Sequence, residues 1–207
     1  GVITTGKNST GNVTVHADDT GDEGSVETAG ITNNGSGTVE VSADKGNVTV
    51  KASSTDPETE ETTPGTVENK GAGELKVASG EGDVKVDGAL ENSGKNGTVE
   101  VSSKKGDVEV TDAITNGKDA GNVTVHSDEG AVTTGALTSA AGQETTVEVS
   151  SANGAVTTDA IENSGAGTVK VASEAGGDVT VNGDTLANTG DGSVTVSAGA
   201  GKVEVGE

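Results

Sequence analysis

Apolar residues recur along this chain in short alternating runs and never in helical spacing. Within Gly97 to Gly121, GTVEVSSKKGDVEVTDAITNGKDAG, Val99 and Val101 alternate with polar residues, and Val108 and Val110 do the same. Ile114 and Asn116 share one face of a third run. Period-two alternation of β-branched residues between Gly, Lys, Asp and Asn predicts three half-buried β-strands. The unit, about 24 residues long, returns from end to end. No single unit carries enough apolar surface to fold alone, so the units are expected to stack in register around one continuous core.

In chain order the strands are expected to start at Val13, Val26 and Ile31, then Val39, Val48 and Val67, then Leu75, Val84 and Leu90. Val99, Val108 and Ile114 follow, then Val123, Val132 and Leu137, Val147, Val156 and Ile161, and Val169, Val179 and Leu186. An eighth coil holds Val194 and Val203 without a third strand, and residues 1–10 read as the third strand of such a coil. Ser53 to Gly65 interrupts the second coil with acids and both prolines. Proline removes a ladder donor, so residues 53–65 are expected to form an exposed loop inserted at a corner.

A second repeat lies above the first: GNVTVH occurs at 11 and 121, and KVAS at 76 and 170. The expected organisation is therefore one solenoid, 1–207, of two four-coil halves, about 11–120 and about 121–207 joined by 1–10. Neither end reads as a polar cap, which leaves two expectations. The chain is a window on a longer repetitive protein, or a subunit whose ends complete each other head to tail.

Composition narrows the picture. The hydrophobic fraction is 29%, with no aromatic residue, Met or Cys, so a core must be built from Val, Ile, Leu and Ala. Side chains this small suit a narrow tube. Low hydrophobicity, 34 Gly and a net charge of -22 would ordinarily suggest disorder, but the regular alternation of valines argues against it. The acidity argues against nucleic acid and anionic membranes as partners. No apolar run approaches a membrane span, so no membrane insertion is expected. Starting at Gly1 without a signal peptide, the chain reads as a mature or excised piece.

No set of residues signals catalysis, so no enzyme activity is expected. Asn33, Asn69, Asn92, Asn116, Asn163 and Asn188 recur at the third strand, with Thr5 and Ser139 as departures. Stacked about 4.8 Å apart, their amides are expected to bond to one another along the axis as a structural ladder. Outward positions of the first strand read Thr14, Glu40, Lys76, Glu100, Thr124, Glu148, Lys170 and Thr195, a solvated face on which Glu and Lys tend to neighbour each other. Outward threonines on the second strand are broken by Lys85, Glu109 and Glu204, so they make no flat hydroxyl plane.

Acids at Asp18, Asp19, Asp22 and Glu23, and at Asp56, Glu58, Glu60 and Glu61, are oxygen-rich enough for calcium, as are Asp128 and Glu129. None has a known calcium spacing, so they read first as solvated turn acids. His16 and His126 occupy equivalent outward places four coils apart, roughly 19 Å, too far to share a metal. Sequons at Asn8, Asn12, Asn34, Asn47, Asn96 and Asn122 are glycosylation acceptors where the source has the machinery.

The pattern GTVxVSxxxGxVxVxxAIxNSGxG, at Gly97 to Gly121 and at Thr146 to Gly167, resembles the repeats of filamentous haemagglutinin-like exoproteins and related large repetitive bacterial surface adhesins. That resemblance implies a long right-handed parallel β-helix, secreted or held at the cell surface, in adhesion, biofilm or contact-dependent systems. The expectation is an all-β, right-handed parallel β-solenoid of about eight coils, roughly 38 Å long at the strand spacing. Its expected role is structural, in an extracellular fibre or adhesin stalk, with copies of itself or flanking repeats as partners. The alternative is a calcium- or glycan-binding module working through the acidic loop.

Overall fold

The computed structural model describes residues 2–18, 24–52, 54–55, 62–117, 119, 121–140 and 145–206. Their strands form three eight-stranded parallel sheets, wound as a β-solenoid of about eight turns. The first sheet stacks Val13–Ala17, Val39–Ala43, Leu75–Ser79, Val99–Ser103, Val123–Ser127, Val147–Ser151, Val169–Ser173 and Val194–Ala198. The second stacks Val26–Thr28, Val48–Val50, Val84–Val86, Val108–Val110, Val132–Thr134, Val156–Thr158, Val179–Val181 and Val203–Val205. The third stacks Ile3–Thr4, Ile31–Asn33, Val67–Asn69, Leu90–Asn92, Ile114–Asn116, Leu137–Ser139, Ile161–Asn163 and Leu186–Asn188. Among the described residues there is no helix.

Register follows from the alternation. Val99 pairs with Leu75 and Val123, and Val101 with Val77 and Val125, so each inward aliphatic residue lies on another. A slip of one residue would turn every such column outward, and the buried tube forbids it. At the third sheet the larger Ile31, Leu90, Ile114, Leu137 and Ile161 are fully buried, with the smaller Val67 in the second coil. Three inward positions of the second sheet hold threonine where other coils hold valine, Thr28, Thr134 and Thr158; the last two lie in adjacent coils, and Thr134 Oγ1 donates to Thr158 Oγ1 at 2.9 Å.

The insertion leaves the solenoid between Val48–Val50 and Val67–Asn69, the corner between the second and third sheets. Its flanks pair with each other antiparallel, Ser54 with Thr63 and Thr55 with Thr62, outside the three parallel sheets.

Replacing Ile114 by Ala should lower unfolding free energy by about 2–5 kcal/mol, since the tube cannot collapse around one missing side chain. Thr115→Ala, on the outward face of the same strand, should change it by no more than about 0.5 kcal/mol. Urea titration followed by circular dichroism measures both.

Candidate functional site

The first corner, after each first-sheet strand, carries a polar column that the alternation did not reveal. Ser79, Ser103, Ser127, Ser151 and Ser173 end five successive first-sheet strands and are buried. Ser127 Oγ donates to Gly106 O at 2.8 Å and accepts from Gly130 N at 2.9 Å. Gly130 O in turn accepts from Ser151 Oγ at 2.7 Å, and Gly106 N donates to Ser103 Oγ at 2.9 Å. Serine hydroxyls and glycine peptides thus alternate along the axis in one continuous relay. Ala17, Ala43 and Ala198 take the serine's place in the end coils. The readable signal was S-x-x-G directly after the first strand.

Beside it runs a column of Asx side chains, each accepting the backbone N–H of the next coil. Asn47 Oδ1 accepts from Asp83 N at 2.9 Å, Asp83 Oδ1 from Asp107 N at 2.9 Å, and Asp107 Oδ1 from Ala131 N at 2.7 Å. Asn12 and Asn122 do the same ahead of the first sheet, for Thr38 N and Thr146 N. Of the sequons, Asn12, Asn47 and Asn122 are therefore exposed but their side-chain oxygens are already engaged. Asn8 and Asn96 are exposed, and Asn34 is half-buried with its amide donating to Thr5 O at 3.0 Å.

The six asparagines Asn33, Asn69, Asn92, Asn116, Asn163 and Asn188 stand in register at the other corner. Amide-to-amide bonds join Asn33 to Asn69 at 2.9 Å and Asn163 to Asn188 at 3.2 Å. Most of their remaining bonds go to the corner backbone. Asn33, Asn69 and Asn163 accept from the N–H two residues on, at Gly35, Gly71 and Gly165. Asn116 Nδ2 donates to Gly121 O at 2.8 Å.

Corner length decides which pattern forms. Six positions separate Asn33 from Val39, Asn69 from Leu75 and Asn163 from Val169, against seven from Asn92 to Val99 and from Asn116 to Val123, and eight from Ser139 to Val147. The three buried side-chain atoms without a hydrogen-bond partner among the described residues are Asn92 Oδ1, Asn116 Oδ1 and Ser139 Oγ, in those longer corners. In two of them the extra residue is accommodated by a left-handed backbone at Asn96 and Asp119, both at φ 59°, stacked through Asn96 N to Asp119 O.

On the outward face, Lys76 pairs with Glu100 at 3.0 Å, Lys170 with Glu148 at 2.9 Å, and Lys85 with Glu109 at 3.3 Å, each across one coil step. Hydrogen bonding to the partner carboxylate, reinforced by its charge, holds each of these lysines above the ordinary value of 10.5, with burial opposing.

The two histidines sit in matching settings. His16 Nδ1 lies 2.9 Å from Ser42 Oγ and its Nε2 2.9 Å from Asp18 Oδ1. His126 has Ser150 Oγ at 2.9 Å and Asp128 Oδ1 at 2.8 Å. In each trio the serine comes from the next coil, 26 residues from His16 and 24 from His126, so chain order hid the grouping. Side chains of Asp18 and Asp128 are 70% and 57% exposed, unlike the buried carboxylate that orients a hydrolytic triad. Of the calcium candidates, Asp19, Asp22, Glu23, Asp56, Glu58, Glu60 and Glu61 lie outside the described residues.

The two ends are stepped. The third sheet begins one coil before the others, at Ile3–Thr4, and ends one strand short of them, at Leu186–Asn188. At the open edge Val194, Val203 and Val205 are 40%, 48% and 46% exposed, where their counterparts inside the stack are buried. The fold defines a repetitive β-solenoid. No known family, curated protein or solved structure matches the chain.

The relay already reaches Gly46 O through Ser79; Ala43→Ser should extend it by accepting from Gly46 N and raise stability by about 0.5–1.5 kcal/mol, whereas Ser127→Ala should lower it by about 1–3 kcal/mol by stranding two peptide groups. Chemical denaturation of both variants measures the difference. The raised lysine values fix a second sign: their contribution is complete below pH 10.5 and is lost as pH rises through the higher folded-state values. Melting temperature should fall as pH rises above about 10.5, and fall less in a Lys76→Met, Lys170→Met double variant.

Proposed function

We propose that this chain is a structural, non-enzymatic element of an extracellular or cell-surface fibre or adhesin stalk, continued axially through its ends. The observation that carries this reading is the stepped pair of ends. A strand added beyond Leu186–Asn188 in the existing register completes the eighth coil, and Ile3–Thr4 is such a strand, projecting from the opposite end. Ile3 would then lie over Leu186, Val13 over Val194 and Val26 over Val203. The half-exposed valines would meet the same residue type that covers them inside the stack. The partner is a second copy or a flanking repeat of a longer chain; in either case backbone ladders and valine columns run through the joint.

Like charges of -22 on each copy oppose joining, so salt should favour it. Light scattering and negative-stain microscopy should show unbranched filaments growing with protein and salt concentration. The pair Val194→Lys, Val203→Lys should leave single rods. A wild-type chain that remains monomeric at millimolar concentration in high salt would rule out self-pairing.

A further inference from the structure

We infer that His16, Asp18 and Asp44 form a binding site for a divalent transition-metal ion such as zinc, nickel or cobalt, stapling the first coil to the second. Their donor atoms, one imidazole nitrogen and two carboxylate oxygens, lie within 4.8 Å of one another. His16 Nε2 is 2.9 Å from Asp18 Oδ1 and 3.7 Å from Asp44 Oδ1. Ligands bound at about 2.0–2.2 Å around a tetrahedral zinc stand roughly 3.3–3.6 Å apart. The observed spacings bracket that range, and closing them needs only small rotations of exposed side chains.

The hydrogen bonds around the ring point the same way. His16 Nδ1 lies 2.9 Å from Ser42 Oγ, one coil step away, and that contact fixes the orientation of the ring. With Nδ1–H toward that hydroxyl, Nε2 carries the lone pair that a metal ion would take. A histidine whose far nitrogen is fixed by a second residue is the arrangement that orients imidazole toward a metal. One nitrogen with two oxygens favours borderline ions over calcium, which takes six or more oxygens.

The repeat supplies an internal control. Asp44 N donates to Ala17 O, and four coils on Ala152 N donates to Ser127 O, so Ala152 occupies the place of Asp44. His126 and Asp128 reproduce His16 and Asp18, but the third ligand is missing. Glu148, the counterpart of Glu40, is drawn to Lys170 at 2.9 Å.

Titration of the intact chain with zinc chloride by calorimetry, and with cobalt chloride by visible absorption, tests this. One saturable site per chain is expected, weakened at least tenfold by His16→Gln and by Asp44→Ala, with a cobalt d–d band that both variants lose. Ala152→Asp should build the second site and raise the stoichiometry from one to two. Because that variant gains binding, misfolding cannot mimic the expected result. Binding undiminished in His16→Gln, or a stoichiometry of one in Ala152→Asp, overturns the assignment, as does calcium competing with zinc at equal concentration.

Discussion

Axial register is the constraint on which the rest of this structure depends. Each strand's backbone bonds to the strands one coil before and after, as in Val99 N to Asn122 O and Val123 N to Thr146 O, so equivalent positions are forced into columns. A column of valines buries itself without large side chains, which is why a chain without aromatic residues can have a dry interior. The core is one residue deep on each wall and contacts run between neighbouring coils, so stability accumulates coil by coil.

Corners carry the second constraint, because there the backbone turns without a strand to bond it. Serine–glycine and Asx columns provide those bonds from side chains, and they work only if the corner keeps its length. Glycine serves close approach at these points: a Cβ at Gly94 would overlap the carbonyl oxygen of Gly71 in the coil beneath. Where the corner grows by a residue, as after Asn92 and Asn116, the asparagine keeps its column and loses its turn partner.

The strands were legible because period-two alternation and register are the same physics: Val99, Val108 and Ile114 announce three walls, and their repetition announces the stack. The asparagine column was legible as a column. Its bonding was not, because whether Asn92 Oδ1 finds the N–H two residues on depends on corner length, which a residue-type pattern ignores. The serine relay left a trace in S-x-x-G, easily taken for ordinary turn chemistry. Neither histidine trio was legible, since Ser42 and Asp44 meet His16 only after a full coil of chain.

Register also creates a difficulty that an acidic repeat must resolve. Stacking like over like places acid over acid, and like charges directly opposed on neighbouring strands are destabilising. Along the first sheet the sequence answers by alternation: Glu40, Lys76 and Glu100 follow one another, then Thr124 separates Glu100 from Glu148, and Lys170 follows. At the next corner the answers differ. Asp128 faces Ala152, removing the conflict, while Asp18 faces Asp44 and keeps it beside an imidazole. Two coils with the same His-x-Asp spacing thus meet the same electrostatic problem in two ways. Among the described residues only the coil with both acids brings three such donors together, so charge patterning along the axis accounts both for the pairing of the lysines and for where a metal would be held.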